Sequence, residues 1–507
     1  MSVLQKEKLQ KRFKVKGLMM NKIGFAFLIM AMIGYCSSAI AQETKRPQNI
    51  LFIAVDDLRP ELGAFGAQHM ITPNIDKLAG QGFSFTNHFV HAPTCGASRF
   101  SLLTGRIATN LKHVSNEALR TEIGDSPNND FITFPRYFRE NGYTTVALGK
   151  IGHYPGGTVA PYTGINPNPR PEIPGAWDIS KAPTAQWGTE QNGFFGYADG
   201  TNRNDLMKNT PPFEAGDVDD MGYPDGHTAA MAVDQIESLS GQDKPFLLAV
   251  GFYKPHLPFT APKKYWDMYN RADIPLSPNP SVPKGVSEKN TLHNSGEFNQ
   301  YKLGKETAAI GKPLSDDYAR ELRHAYVAAV SYIDAQIGKV LSALEKSGQA
   351  DNTVVVLWGD HGWHLGDQTI WGKHSLYERA LKSPLIIRLP QTEGGVIKNQ
   401  IVETVDIYPT LIELTGLRGP GKLSGQSLTG AMENAEPSPR VARSFWQNSV
   451  TLRNDKYRII VHGENFPDDV ELYDHQKDVN ETENVINQNL GEAMPLFKQA
   501  LELMLEK

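Results

Sequence analysis

Four short apolar runs, each followed at once by polar or charged side chains, dominate the pattern along the chain. They cover residues 50–55, 144–148, 246–250 and 354–358 and show no alternation of apolar and polar positions. Unbroken runs of this length are typical of parallel strands that are buried on both faces. Because parallel strands end at one edge of a sheet, where α/β proteins bind ligands, we expect the polar residues after the four runs to converge.

Helical periodicity lies between these runs and indicates an α/β fold, with a mainly parallel central sheet flanked by helices. A small C-terminal α+β subdomain with an antiparallel sheet is predicted to follow. The predicted helices cover 73–79 with Thr72 as the cap, 131–141, 227–239, 315–346, 405–415 and 492–506, and the predicted C-terminal strands cover 443–446, 449–452, 457–461 and 471–473.

The first residues have the pattern of a secretory leader. Lys22 precedes an apolar run over 23–35, and small residues at 37–41 follow it, as in a signal peptide that is cut after Ala41. We therefore predict a leader over 1–41, a catalytic domain over 42–425 and the C-terminal subdomain over 426–507. The mature protein is expected to be periplasmic or secreted, without a membrane span, because no later run reaches roughly 20 apolar residues.

The charge balance argues against a surface that binds polyanions. The chain has 51 Lys and Arg against 56 Asp and Glu, and the first 41 residues hold seven of the basic residues and one of the acidic ones. Without the leader, 44 basic residues face 55 acidic ones, a net charge of −11. We therefore expect no nucleic-acid partner, and any anionic substrate must meet a local cluster of cations in a cleft.

Acidic residues follow two of the buried runs. Asp56 and Asp57 come directly after the first run, and Asp360 and His361 follow the last one after a glycine. Adjacent carboxylates at a buried strand end repel one another unless a cation offsets the repulsion. The two pairs predict oxygen ligands for a hard divalent ion, although Asp56 and Asp57 are equally compatible with a solvated pair that caps the next helix.

Cys95 is the only cysteine of the sequence outside the predicted leader, so it has no partner for a disulfide. It begins a predicted helix, and the free N–H groups and dipole of a helix N-terminus suit an anion. Arg99 lies one turn later, where its permanent charge can meet the oxygens of a nucleophile at position 95. A buried structural cysteine is the alternative interpretation.

The stretch Pro93-Thr94-Cys95-Gly96-Ala97-Ser98-Arg99, extended by Leu103-Thr104-Gly105-Arg106, closely resembles the signature of the type I sulfatases. Segments 56–63, 72–76, 254–259, 360–366 and 371–375 are most similar to the iduronate-2-sulfatase-like group of that family. The resemblance implies an alkaline-phosphatase-like fold, hydrolysis of sulfate esters and oxidation of Cys95 to formylglycine by a maturation enzyme. Ala97, where many sulfatases have proline, leaves open an oxygen-dependent or a radical route.

The same resemblance assigns the site residues. Modified Cys95 is the nucleophile: one hydroxyl of its hydrated aldehyde attacks sulfur and the second expels sulfate. Imidazole is an unusual calcium ligand, so His361 can instead face the substrate, and His364 lies in a loop without the neighbours of a zinc site. The implied calcium ligands are Asp56, Asp57, Cys95, Asp360 and His361, and the implied catalytic residues are Arg99, Lys150 and Lys373 on the sulfate and the nucleophile, His153 beside the diol and His256 as general acid.

The expected substrate is a sulfated oligosaccharide with a 2-O-sulfate on a uronic acid or a related sugar, from a glycosaminoglycan or an algal polysaccharide such as ulvan or carrageenan. Stretches 152–212 and 275–313, rich in Pro, Gly and Asn, are predicted to roof the cleft and select it.

Two other functions stay open. One is a phosphoesterase of the same superfamily with Thr94 as nucleophile, although the additional histidines of a two-zinc site are not evident in the sequence. The other is a non-catalytic secreted carbohydrate-binding protein, which would not need four charged strand ends.

Overall fold

The computed structural model of the protein describes residues 48–126, 130–160, 169–204, 206–433, 439–463 and 469–505. These residues belong to one compact unit, Gln48–Lys507. The predicted leader and its cleavage site after Ala41 lie outside the described residues, so they stay predictions.

Eighteen strands and eleven α-helices are found in the described part. The strands are β1 Asn49–Val55, β2 Phe83–Phe89, β3 Thr144–Gly149, β4 Thr158–Val159, β5 Arg170–Pro171, β6 Ile179–Lys181, β7 Phe213–Gly216, β8 Phe246–Phe252, β9 Phe259–Pro262, β10 Thr353–Gly359, β11 His364–Leu365, β12 Trp371–Gly372, β13 Leu385–Arg388, β14 Val396–Glu403, β15 Ala442–Trp446, β16 Ser449–Arg453, β17 Tyr457–Val461 and β18 Val470–Asp474. The helices are α1 Pro73–Gly80, α2 Cys95–Thr104, α3 Phe134–Glu140, α4 Glu190–Phe194, α5 Pro224–Ser240, α6 Lys263–Trp266, α7 Asp316–Lys346, α8 Glu378–Leu381, α9 Ile407–Leu414, α10 Thr429–Met432 and α11 Ile486–Leu505.

The central sheet has the strand order β14-β2-β13-β10-β1-β8-β3-β6. β13 runs antiparallel to both of its neighbours, whereas the other pairs are parallel. The four predicted strands become β10, β1, β8 and β3, which are consecutive in the sheet. This adjacency brings their carboxyl ends together, and it confirms the predicted α/β class.

Helices cover both faces of this sheet because the side chains of β1 alternate between two buried layers. Leu51 and Ile53 pack with α1, α5 and α7, and Ile50 and Phe52 pack with α2, α3 and α9. Helix α7 is long and apolar enough to cross a membrane, but its most apolar part is mostly buried within the fold, as in the core helix of a soluble protein.

Strands β15 to β18 form the predicted antiparallel C-terminal sheet. Helix α11 covers it, and apolar residues of both join the layer that contains α2 and α3. The helix begins at Ile486, six residues before the predicted start. The predicted boundary between 42–425 and 426–507 stays a prediction.

Several helix predictions need correction: helix α5 begins at Pro224 rather than at 227, and helix α9 covers Ile407–Leu414 rather than 405–415. Helix α3 begins at Phe134 rather than at 131, with Thr133 in an extended conformation as its N-cap. Thr72 occupies the N-cap position of α1 without a side-chain bond to the helix backbone. Its hydroxyl instead donates to Asp76 and accepts from the Gly63 N–H.

Candidate active site

The polar residues after β1, β3, β8 and β10 converge at one edge of the sheet, as predicted. The structure brings together all of the site residues that the sequence analysis names, and none is more than 7% exposed. They are Asp56, Asp57, Cys95, Arg99, Lys150, His153, His256, Asp360, His361 and Lys373.

Cys95 lies at the centre of this cluster, at the first residue of α2. Its Sγ is 3.3 Å from Asp56 Oδ1, from His361 Nε2 and from Lys373 Nζ. Burial, together with the charge of Asp56, raises the pKa of the thiol well above its usual value. The unmodified thiol is therefore protonated at neutral pH and is a poor nucleophile.

Asp56, Asp57, Cys95 and His361 offer ligand atoms that lie within 4.8 Å of one another. Asp57 adopts a left-handed conformation with φ 58°, and its buried Oδ2 has no hydrogen-bond partner among the described residues. Burial raises the pKa of Asp57, although Lys373 opposes the shift. A buried carboxylate oxygen without a donor fits a hard divalent cation, because such a cation prefers oxygen ligands.

His361 turns a ring nitrogen toward the same cluster. Its Nδ1 lies 2.9 Å from the Gly362 carbonyl oxygen, which leaves the lone pair on Nε2 facing Cys95. Burial and the charge of Lys373 lower the pKa of His361 to about 4, so the ring is neutral at pH 7. A neutral ring held at Nδ1 has the protonation that a metal ligand needs.

Asp360 lies outside this group of four candidate metal ligands. Its Oδ1 accepts the Asp57 N–H at 2.9 Å, and its Oδ2 accepts from Arg99 Nε at 3.1 Å. Burial and the charge of Asp56 raise the pKa of Asp360 to about 7. Its predicted role as a metal ligand stays a prediction.

Arg99 joins the strand ends to one another. Its Nη2 lies 3.3 Å from Asp56 Oδ1 and 3.0 Å from Asp360 Oδ2. Its Nη1 donates to the carbonyl oxygens of Lys150 and Ile151. The guanidinium therefore holds the ends of β1, β3 and β10 together from the second turn of α2.

Two lysines face the two aspartates that follow β1. Lys150 Nζ lies 2.6 Å from Asp56 Oδ2, and Lys373 Nζ lies 2.8 Å from Asp57 Oδ1. Burial would raise the pKa of Asp56, but Lys150 and Arg99 outweigh burial and hold it well below its usual value. Each lysine is therefore close to both a carboxylate and the Cys95 helix end.

The two predicted catalytic histidines differ in their surroundings. Burial and the charge of Lys150 lower the pKa of His153 well below its usual value, so this ring is neutral. The His256 ring lies 2.6 Å from the Leu257 carbonyl oxygen through Nδ1 and 2.9 Å from Glu297 Oε1 through Nε2. His256 sits in a loop with cis peptide bonds before Pro255 and Pro258.

Three residues at this site escaped the sequence analysis: Glu172 and Lys254 are buried, and Glu297 is 18% exposed. Glu297 contacts His256, and Glu172 accepts the backbone N–H groups of His153 and Tyr154. Lys254 donates to the carbonyl oxygens of His256 and Pro258. The only available signal was the position of Lys254 beside His256, because the two glutamates lie in polar stretches that resemble solvated loops.

His364 and Thr94 have other partners. His364 Nε2 lies 2.7 Å from Ser375 Oγ, and its Nδ1 lies 3.2 Å from the Asp367 carbonyl oxygen. The Thr94 hydroxyl donates to Asn116 Oδ1 at 2.8 Å.

Known protein families were compared with this chain to find the one to which it belongs. Residues 48–417, most of the chain, match the family model for sulfatases. This chain belongs to the sulfatase family. Residues 359–506 of the sulfatase also match a model described as N-sulphoglucosamine sulphohydrolase, C-terminal.

Individual relatives agree with this assignment. Iduronate 2-sulfatase from Homo sapiens is 32% identical over 430 residues, which cover 78% of this chain and 75% of that protein. The solved phosphonate monoester hydrolase from Silicibacter pomeroyi superposes with a TM-score of 0.68 at 22% identity, covering 90% of this chain and 95% of that one. BT1596, a 2-O GAG sulfatase, superposes with a TM-score of 0.62 at 21% identity, covering 90% and 93%.

The two structural relatives share the fold of this chain, and the family match gives the activity. The sulfatase is a sulfuric ester hydrolase.

Proposed function

We propose that this sulfatase removes 2-O-sulfate groups from uronic acids or related sugars in oligosaccharides of glycosaminoglycans or of algal polysaccharides such as ulvan or carrageenan. The observation that carries the chemistry is the position of Cys95 Sγ, 3.3 Å from a carboxylate, an imidazole and an ammonium group. The names of two relatives, iduronate 2-sulfatase and a 2-O GAG sulfatase, support the position of the ester.

The proposal includes conversion of Cys95 to formylglycine by a maturation enzyme after or during export to the periplasm or the medium. The raised pKa of the buried thiol makes the unmodified side chain a poor nucleophile. A hydrated aldehyde at this position supplies one hydroxyl for attack on sulfur and a second whose deprotonation expels sulfate.

Calcium is the proposed metal, held by Asp56, Asp57, His361 and the modified residue 95, with Asp360 beside them. A bound divalent ion stabilises the charge that develops on the sulfate oxygens. The local charges support this proposal. Among the described residues named above, five carboxyl groups, on Asp56, Asp57, Glu172, Glu297 and Asp360, outnumber the four cationic side chains, on Arg99, Lys150, Lys254 and Lys373. A further cation makes the site attractive to an anionic ester.

The chain's own residues supply the remaining steps. Lys150 and Lys373 donate to the non-bridging oxygens of the sulfate, where their charges count most because the site is buried. The neutral His153 ring accepts a hydrogen bond from the nucleophile and orients it. His256 donates a proton from Nε2 to the departing sugar oxygen, which is a poor leaving group unless it is protonated.

A panel of defined substrates tests the proposal on the matured, calcium-loaded enzyme. We expect the highest kcat/KM with a 2-O-sulfated uronate disaccharide, at least tenfold above a disaccharide sulfated on O6 of the glucosamine and far above 4-nitrophenyl phosphate. A preference for the 6-O-sulfate would overturn the proposed ester position. A preference for the phosphate ester would favour the phosphoesterase alternative.

A further inference from the structure

Glu297 is an acidic residue in a site that receives an anion, and it lies in the second of the two predicted excursions. Its Oε1 is 2.9 Å from His256 Nε2, and its Oε2 is 3.6 Å from Lys373 Nζ. We infer that Glu297 is a positioning residue that fixes the His256 ring and Lys373 relative to the scissile ester. The inference rests on the proposed function, in which His256 protonates the leaving group.

A structural role does not account for the Glu297 side chain. Among the described residues its carboxylate contacts His256 and Lys373, and its buried Oε2 accepts no hydrogen bond. Partial removal of a carboxylate from water is unfavourable unless nearby donors and cations offset the lost solvation. Lys373 and His256 are the side chains that face this carboxylate, so the three side chains form one polar cluster.

The contact with His256 fixes the orientation of the ring. The Leu257 carbonyl oxygen lies 2.6 Å from Nδ1 at one side, and Glu297 Oε1 lies 2.9 Å from Nε2 at the other. A carbonyl and a carboxylate only accept hydrogen bonds, so each ring nitrogen faces an acceptor. The phenyl ring of Phe194 lies 4.5 Å from the imidazole between the ring centroids. Without Glu297, nothing among the described residues would direct the Nε2–H except the more distant Asp57 Oδ2, at 3.8 Å.

Glu297 also helps to position the ammonium group of Lys373. Lys373 Nζ lies 2.8 Å from Asp57 Oδ1, 3.3 Å from Cys95 Sγ and 3.6 Å from Glu297 Oε2. These three groups surround the ammonium beside the nucleophile position. Because Glu297 faces both Lys373 and His256, it holds both side chains close to the proposed position of the ester.

If Glu297 positions His256, its loss should affect the hydrolysis rate differently for esters with different leaving groups. A sugar alcohol needs a well-placed proton donor to depart, whereas a nitrophenolate leaves without one. Misplacing His256 must therefore slow hydrolysis of a sugar sulfate much more than hydrolysis of an aryl sulfate. A loss of general stability, in contrast, would reduce both rates by the same factor.

The test measures kcat and KM for Glu297→Gln and Glu297→Ala on a 2-O-sulfated uronate disaccharide and on 4-nitrophenyl sulfate. For Glu297→Ala we expect kcat on the sugar sulfate to fall about 100-fold, within the range of general-acid effects, and kcat on the aryl sulfate to fall less than fivefold. Glu297→Gln retains an acceptor for Nε2, so it should recover part of the loss. Glu306→Gln, from the same excursion, contacts Ser315 at the start of α7 and is the matched control.

Equal losses on the two substrates, or no loss on the sugar sulfate, would overturn the inference. If Glu297→Ala does not fold, Glu297→Asp, which keeps the charge but shortens the reach, must show the same split between the substrates. His256→Asn is measured beside them. If this variant shows no dependence on the leaving group, the proposed role of His256 fails, which is a different outcome from failure of Glu297 alone.

Discussion

Lys150 Nζ lies 2.6 Å from Asp56 Oδ2, and both side chains are at most 1% exposed. The pair links the end of β3 to the end of β1 across the intervening strand β8. Asp56 in turn lies beside Cys95 Sγ. Lys150, which follows β3, therefore keeps the carboxylate of Asp56 ionised next to Cys95.

Replacing Lys150 should consequently affect both stability and activity. Lys150→Met leaves Asp56 with Arg99 as its remaining close cation, and breaking a buried ion pair costs about 3–5 kcal/mol. We expect a lower Tm and a loss of at least 100-fold in kcat/KM, because a cation at the sulfate is also lost. Lys181→Met, on an exposed position of β6, is the control, and a Lys150→Met enzyme within threefold of wild type would contradict the assignment.

Substitutions of Cys95 and Thr94 distinguish a sulfatase with Cys95 at its centre from a phosphoesterase with Thr94 as nucleophile. Cys95→Ala should abolish turnover of sulfate esters while the protein stays folded. Thr94→Ala removes a hydrogen bond to Asn116, worth about 1 kcal/mol, and should keep activity within tenfold of wild type. Rates are measured on a sulfate and a phosphate ester; a Thr94→Ala enzyme that loses phosphate turnover while Cys95→Ala keeps it would support the phosphoesterase.

Removal of the metal should inactivate the enzyme reversibly. Dialysis against a calcium chelator is expected to abolish turnover and lower Tm, since a ligand that binds only the folded state stabilises it. Addition of Ca²⁺ should restore both. Asp57→Asn removes a charged ligand and should weaken the response to Ca²⁺; full activity of metal-free protein, verified by elemental analysis, would contradict the proposed site.

Buried His88 predicts a loss of stability in acid. Burial lowers the pKa of His88 to about 3, whereas the unfolded chain titrates near 6.5. Between these values the unfolded state binds the additional proton, so the free energy of unfolding falls as pH drops from 6.5 toward 3, by about 1.4 kcal/mol per pH unit. Denaturant unfolding from pH 7 to 4 measures the slope. His88→Asn should be less stable at pH 7 but should have a smaller slope, and an unchanged slope would argue against this origin.

The convergence of the candidate site residues could be predicted from the sequence because the pattern that marks each strand end is local. A buried apolar run followed by charged residues indicates a strand, its burial and the position of its carboxyl end. The strands β1, β3, β8 and β10 all have this pattern. The adjacency of these four strands then followed from the general behaviour of parallel sheets. The convergence of Asp56, Lys150, His256 and Asp360 was therefore predictable.

Other features depend on contacts between distant residues. Strands β2, β13 and β14 were not predicted, and β13 lies antiparallel between β10 and β2 through pairings that no local pattern specifies. Glu297 likewise looks like a solvated side chain in a polar stretch until the fold places it against His256. The orientation of Arg99 toward the ends of β1, β3 and β10 also emerges only when those ends are in place.

The most direct test of the central claim is mass spectrometry of the peptide that contains Cys95, from active enzyme made in a host with a competent maturation enzyme. The account predicts formylglycine at position 95, in a proportion that tracks specific activity toward the 2-O-sulfated disaccharide across preparations. Full sulfatase activity in a preparation whose Cys95 is entirely the unmodified thiol would contradict it.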